Sequence, residues 1–207
     1  MLTELLVLNF YESSIITIKK KLSKDAINAL PLRYYEGPIN LIDSFENADK
    51  ACENLAHETI LGFDTETKPS FKKGVSYSPS LLQLAGSDSV FLFRINLIGI
   101  PTKLKILLEN SKIIKAGVAV NRDLSDIQKI LKISPDNFVD IGEEAKRQRL
   151  ENHGLRNLAA LILNFRISKG NRISNWERDD LTFGQIRYAA TDAWASREIY
   201  LKISIKK

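Results

Sequence analysis

The stretch Ile60-Leu61-Gly62-Phe63-Asp64-Thr65-Glu66-Thr67 decides how this chain is read. Apolar residues and a glycine run straight into two carboxylates separated by one residue. Alternate side chains of an extended strand share a face, so Asp64 and Glu66 point the same way. Two anions held side by side at the end of a buried strand repel each other and are costly to desolvate. A hard divalent cation with oxygen ligands would resolve that conflict, and so would a strand end that opens to water. Only the surrounding sequence separates the two readings.

On the N-terminal side, Ile39 to Ile42 has the pattern of a short strand. Ser44 then caps a helix running to about His57, with Phe45, Ala48, Ala51 and Leu55 on one face. On the C-terminal side, a basic loop from Lys68 to Pro79 leads to a strand at Leu81–Ala85. A turn at Gly86-Ser87-Asp88-Ser89 and a returning strand at Val90–Phe93 make this half an antiparallel meander. After that the pattern alternates. Helices are predicted from Pro101 to about Glu109, from Asn121 to about Lys132, and through about Leu150. Two more cover Leu155–Leu163 and Thr182 to about Ile203, with strands at Ile113–Val118 and Phe138-Val139 between the earlier ones. Early pairing followed by alternation predicts an α/β protein with a mixed five- or six-stranded sheet covered by helices on both faces. Residues 1–35 differ, with a short strand at Ile15–Ile18, the cluster Lys19-Lys20-Lys21, and a Ser23-capped helix from Lys24 to Leu30 stopped by Pro31. They are expected to form an N-terminal arm or extension to a domain over residues 36–207.

Composition narrows the class. Of 207 residues, 44% are hydrophobic and 27% charged, the balance of a folded globular chain with a sizeable core. Lys and Arg outnumber Asp and Glu by 30 to 25, an excess that suits a polyanionic partner such as nucleic acid. The single cysteine, Cys52, excludes an internal disulfide. With His57 and His153 far apart in sequence, a zinc site built on Cys and His is excluded as well. The run Leu5-Leu6-Val7-Leu8 lacks a basic lead and a cleavage-like site, and no stretch approaches the roughly 20 apolar residues of a membrane span. A cytoplasmic location is expected.

The final helix carries the clearest start signal. Thr182-x-x-Gln185 fits a capping box, with Leu181 and Ile186 at the staple positions. That frame puts Tyr188 and Asp192 one turn apart on one face. Ala189, Ala190, Ala193 and Ala195 would let this helix approach the sheet closely and bring Asp192 near Asp64 and Glu66. Taken singly, Tyr188 reads as a core residue. Asp123 sits in the first turn of a helix, where an acid is favoured by the helix dipole whatever its function. Asp126 lies one turn on, and spacing does not choose between them.

Taken in order, these residues resemble the three motifs of the DEDD exonuclease superfamily. Phe63-Asp64-Thr65-Glu66-Thr67 is similar to the first, Gly117-Val118-Ala119-Val120-Asn121-Arg122-Asp123 to the second, and Tyr188-Ala189-Ala190-Thr191-Asp192 to the third. The resemblance is to the Werner-syndrome-type exonuclease domain, with ribonuclease D as a near relative. It extends to Leu82-Gln83-Leu84, Ser174-Asn175-Trp176 and Tyr188 through Ala193, and covers roughly residues 39–205. It implies a ribonuclease H-like fold and a 3′-to-5′ exonuclease using two divalent metal ions, Mg²⁺ or Mn²⁺. It also implies the catalytic set Asp64, Glu66, Asp123, Tyr188 and Asp192. Asp64, Glu66 and Asp192 would hold the first ion, Asp64 would bridge to the second, and Asp123 would support that one through water. The tyrosine subtype has its extra residue four before the last acid, here Tyr188. The histidine subtype has it five before, where this chain has Arg187. With an ordinary pKa near ~10, Tyr188 is a poor base at neutral pH and is assigned to orienting the attacking water.

The resemblance implies DNA as substrate. An exoribonuclease of ribonuclease D type and a catalytically silent nucleic-acid-binding scaffold are the alternatives. A silent scaffold would be marked by loss of an acidic ligand, and all four acids are present. Thr65, Lys68, Lys72, Lys73 and Arg172 are candidate substrate contacts, and Arg166, Lys169 and Arg178 extend the second basic segment. A solvated charge cluster is the competing reading for both segments. Phe63 and Leu82 are candidates to meet the terminal base, with core burial as the default, and Trp176 and Trp194 read as packing residues. No further domain follows the last helix before Lys207, so weak, salt-sensitive, distributive digestion is expected unless residues 1–35 or a partner supply grip.

Overall fold

The structure is a computed structural model that describes residues 21–204. The expected strand at Ile15–Ile18 and the first two lysines of the basic cluster lie outside the described residues. The elements in chain order are α1 (Lys24–Ala29), β1 (Ile39–Ile42), α2 (Phe45–Leu55), β2 (Ile60–Thr67), β3 (Pro79–Ala85), β4 (Val90–Phe93), α3 (Ile95–Ile98) and α4 (Thr102–Glu109). They continue with β5 (Ile114–Gly117), α5 (Val120–Ile130), β6 (Phe138–Asp140), α6 (Ile141–Arg147), α7 (Leu155–Leu158) and α8 (Phe183–Ser204).

Six strands form one mixed sheet in the order β1-β4-β3-β2-β5-β6. The expected meander is present, since β2 pairs antiparallel with β3 and β3 with β4. On its other side β2 pairs parallel with β5, and β5 with β6. β1 departs from the meander by pairing parallel with β4, which requires a long crossover rather than a hairpin.

Strand alternation sorts the two faces. Leu61 and Phe63 of β2, Leu82 and Leu84 of β3, and Phe91 and Phe93 of β4 enter one core, with Ala48 and Leu55 of α2, Leu104 and Leu108 of α4, and Ile127 of α5. Leu81 and Ala85 of β3 and Val90 and Leu92 of β4 face the other way, toward Tyr188, Ala189 and Ala193 of α8. The intervening residues of β2, namely Gly62, Asp64 and Glu66, share this α8 face. Phe63 and Leu82 are therefore core residues, not base contacts, at 1% and 0% exposure.

Several boundaries depart from the pattern reading. Phe45 is not on the buried face of α2; it occupies the first helical position, ahead of the buried stripe, and is 65% exposed. α6 stops at Arg147 because Arg149 turns left-handed (φ 60°) and Leu150 N–H closes back on the Ala145 carbonyl at 3.0 Å. The single helix expected over Leu155–Leu163 is α7 followed by a wider π-type turn at Ala159–Leu163, ended by left-handed Asn164. α3 is a four-residue turn of helix that the periodicity did not indicate.

Ahead of the sheet, α1 is capped by Ser23, whose hydroxyl accepts from Ala26 N–H at 3.1 Å. Residues 31–35 then lie along the domain. Leu32 bridges to Arg166, and Tyr35 N–H donates to Thr191 Oγ1 of α8 at 3.0 Å. Arg166 donates to the Leu30 carbonyl at 3.0 Å, which gives this side chain a structural partner. No described helix is long and apolar enough to cross a membrane.

Candidate active site

Two elements build the centre. β2 carries Asp64 and Glu66 on the face toward α8, and α8 is set in register by its cap. Thr182 N–H donates to Gln185 Oε1 at 3.0 Å, and Gln185 N–H donates to Thr182 Oγ1 at 3.2 Å. Leu181 and Ile186 share the cluster beneath that turn. The helix can approach β2 because Gly62 has no side chain, since a Cβ there would stand 1.9 Å from the Ala193 carbonyl oxygen. This close approach delivers Asp192.

Asp64, Glu66 and Asp192 each offer a carboxylate oxygen, and these atoms lie within 4.8 Å of one another. Glu66 and Asp192 are 8% and 6% exposed. Burial, with Asp192 and Asp123 nearby, pushes the Asp64 carboxyl well above the usual range. Burial and the neighbouring acids take Glu66 to about 10, against a partial offset from Arg172. Burial lifts Asp192 to about 7, opposed by its hydrogen bond with the Tyr188 phenol. Tyr188 itself is pushed far up by burial and by Asp192 and Glu66, so it remains an O–H donor at any physiological pH. Its ring is backed by Trp176, with centroids 6.2 Å apart. Trp176 is packed as expected, at 1% exposure, and Trp194 stacks on Phe165.

Asp123 stands apart from this trio. It sits in the first turn of α5 and accepts from Thr65 Oγ1 at 2.9 Å. Burial raises it to about 6. Its charge raises both Asp64 and Glu66, whereas Asp126, on the wall of the same cleft, is paired with Lys129 at 2.6 Å. Of the two acids that spacing left equal, Asp123 is therefore the one coupled to the cluster.

The acids open on both sides into a groove. One cleft of about 460 Å³ reaches from Asp64, Glu66 and Asp192 past Tyr188 to Asn157 and Lys169. The other, about 560 Å³, holds Asp64 and Glu66 and runs past Asp123 and Arg122 to Lys68 and Tyr77. Arg172 lines both clefts. Lys68 is partly committed, with its ammonium 2.9 Å from Glu177 and over the Tyr77 ring. Lys72 and Lys73 lie on the exposed loop, outside the acid groove, and the Thr65 hydroxyl is taken by Asp123.

Other residues about the site had no role assigned from sequence. Gln83 of β3 pairs with Asp64 of β2, is fully buried, and leaves its Oε1 without a partner. A lone amide inside the apolar run Leu81–Ala85 is a signal that could have found it. Ser196 lines the first cleft one turn beyond Asp192, so helical spacing pointed to it. Ala119, which lines both clefts, takes a left-handed backbone (φ 58°) at the start of α5, and nothing in its sequence foretells that.

The donor set fits a hard divalent cation. All its atoms are carboxylate oxygens, they are mostly buried and of like charge, and Asp192 Oδ1 is buried with no hydrogen-bond partner.

Comparison with known proteins gives a consistent picture. Residues 39–206 match the model of a family described as 3′-5′ exonuclease. The chain is 33% identical over 186 residues to the mouse (Mus musculus) bifunctional 3′-5′ exonuclease/ATP-dependent helicase WRN, an alignment covering 83% of this chain but only 13% of that protein. The fold matches the Aedes aegypti Nibbler EXO domain with a TM-score of 0.74 at 26% identity, covering 86% of this chain and 92% of that one. It matches Escherichia coli RNase D with a TM-score of 0.74 at 20% identity, over 81% of this chain and 44% of that one, a likeness of fold. The ribonuclease H-like architecture is thereby shared with exonuclease domains.

Proposed function

The chain belongs to the 3′-5′ exonuclease family, and on that premise we propose that it hydrolyses phosphodiester bonds from the 3′ end of DNA, releasing nucleoside 5′-monophosphates. Two divalent cations, Mg²⁺ or Mn²⁺, would be held by Asp64, Glu66, Asp192 and Asp123. The observation that carries this reading is the convergence of three carboxylates within 4.8 Å at the floor of an open groove, Glu66 and Asp192 buried and Asp64 partly so. A phosphodiester is an anion and would be repelled by bare carboxylates, so cations at the cluster are what make the groove a phosphate site. Such ions, when bound, activate the attacking water and offset charge on the attacking and leaving oxygens.

The protein's own groups supply the rest. Tyr188 stays protonated and donates its O–H, so it orients the attacking water rather than deprotonating it. Arg172, on the groove wall beside Glu66, supplies positive charge toward the substrate phosphates. Thr65 fixes the Asp123 carboxylate, and Trp176 backs the Tyr188 ring. The tyrosine subtype is supported by Arg187, whose guanidinium lies 3.9 Å from the Tyr34 ring centroid and also over Phe183, committed to packing. The matched span supports residues 36–207 as the exonuclease domain, with 1–35 as an extension. The unpaired, buried Cys52 suits a reducing, cytoplasmic setting.

DNA is taken first because the motifs and the 33%-identical relative are of the Werner type. RNA is the second reading, favoured by the likeness of fold to RNase D, which is described as an exoribonuclease involved in structured RNA processing. The test uses matched 5′-labelled DNA and RNA strands, single-stranded or with recessed 3′ ends, in Mg²⁺ or Mn²⁺, with Asp64→Ala alongside. A ladder shortening from the 3′ end, abolished by the substitution and by chelator, is expected. Faster cutting of RNA overturns the DNA assignment, and no cutting of any strand leaves a binding scaffold.

A further inference from the structure

The loop between β2 and β3 carries an unusual surface. Phe71 is 87% exposed, the most exposed large apolar side chain among the described residues, and Ile173 faces solvent nearby at 61%. Isolated exposed apolar residues are ordinary. Here they line a cleft of about 550 Å³ together with Lys68, Lys72, Tyr77 and Asn175, a volume within the ~300–1,000 Å³ of ligand sites. The cleft adjoins the acid groove, because Lys68, Pro69, Ser70, Val75 and Tyr77 line both.

Its walls are tied in place. The Lys68–Glu177 ion pair links the loop to the segment ahead of α8, and Gln185 Nε2 holds that segment by the Asn175 carbonyl at 3.0 Å. The loop tip closes on itself, with Lys72 N–H on Ser70 Oγ at 3.3 Å, Val75 N–H on the Lys72 carbonyl at 3.2 Å, and Gly74 at φ 81°. Phe71 is thus held outward by a folded turn. The loop itself carries charge of one sign, since no acid occurs between Glu66 and Asp88. The nearby Glu177 is taken by Lys68, and no acid among the described residues pairs with Lys72 or Lys73. An apolar protein partner would not call for these cations. A flat aromatic face among unpaired lysines, opening from a phosphate-handling groove, matches a nucleotide.

We propose that this cleft is a stacking site, centred on Phe71, for an unpaired nucleobase of the strand whose 3′ end lies at the acid cluster. The inference rests on the exonuclease reading and adds a contact away from the reacting phosphate. Base stacking on an aromatic ring tolerates any sequence, as an exonuclease requires.

The test measures fluorescence anisotropy of labelled single strands of DNA and of RNA on Asp64→Asn protein, with and without Phe71→Ala or Phe71→Tyr. Loss of Phe71 should weaken binding of a long strand at least about fivefold, with Phe71→Tyr within about twofold of the parent. In the otherwise unmodified enzyme, Phe71→Ala should leave hydrolysis of the p-nitrophenyl ester of thymidine 5′-monophosphate unchanged, because that small substrate reaches only the acid cluster. A loss that depends on Phe71 in the DNA arm, the RNA arm or both supports the site, and the arm affected identifies the strand it takes. Unchanged strand affinity in Phe71→Ala overturns the stacking site while leaving the exonuclease intact, and so does an equal loss on the small ester. If the unmodified enzyme cuts neither strand nor ester, the exonuclease reading itself falls.

Discussion

Tyr188 is buried at 7% exposure against carboxylates that all raise its pKa, so its proton is secure and its contribution is a directed O–H. Removing one such preorganised donor costs about 10²–10³ in turnover when it acts in the transition state. Tyr188→Phe is expected to lower kcat on that scale with KM little changed, measured by steady-state release of nucleotides. Full turnover in Tyr188→Phe would remove the residue from the mechanism. The same scale separates Asp123 from Asp126. Both are acids in the first turns of α5, and sequence spacing treats them alike. The hydrogen bond from Thr65 and the coupling to Asp64 single out Asp123, while Asp126 is spent on Lys129. Which of two acids one turn apart meets a partner depends on where the neighbouring strand ends, and a single element's sequence does not encode that.

Among elements, the contact of α8 with β2 governs the site. It was largely legible in the sequence, because a capping box fixes the helix frame, small residues mark its close face, and a glycine precedes the two acids. A Cβ at residue 62 would meet the Ala193 carbonyl oxygen at 1.9 Å and Arg197 Cβ at 3.0 Å, neither of which can yield without moving the helix. Gly62→Ala should therefore destabilise the fold by roughly 1–3 kcal/mol and pull Asp192 away from Asp64 and Glu66. Thermal melting and exonuclease rate together check this, with rate falling further than the melting shift explains. A Gly62→Ala protein that melts and cuts like the parent would show that the close approach is dispensable. Less legible were the break of the expected Leu155–Leu163 helix into α7 and a wider turn, and the exposure of Phe45. Both are set by how helix ends meet the rest of the domain, which overrides local periodicity.

For the molecule as a whole, clustering acids on a buried face is a stability burden that cations and protons both relieve. The folded pKa values of Glu66 (about 10), Asp192 (about 7) and Asp123 (about 6) stand above the ordinary carboxylate values of ~4. At these positions the folded state thus binds protons more tightly than the unfolded chain, so the cluster's contribution to metal-free stability is most favourable at low pH and declines as pH rises from about 4 through 6, 7 and beyond. Between pH 5.5 and 8.5 the metal-free protein should lose stability relative to Asp64→Asn by at least ~1 kcal/mol, or about 2–4 °C in Tm. Mg²⁺ or Mn²⁺ should restore more of it at high pH than at low, because protons and cations compete for the same oxygens. Parallel melting curves for the two proteins across that range, with and without metal, would refute the account.

The sequence by itself determined the strand that ends in two acids on one face, the frame of the final helix with Tyr188 and Asp192 a turn apart, and the alternation that yields a mixed sheet covered on both sides. These are local consequences of strand and helix periods and of capping chemistry. The tertiary structure alone decided that Asp123 stands aside on Thr65, that Arg166 is engaged elsewhere and Lys68 is shared with Glu177 while Arg172 lines both clefts, and that Phe71 is left bare beside them. Those outcomes turn on distances between residues far apart in the chain, fixed by how closely one helix can pack on a strand that has no side chain in its way.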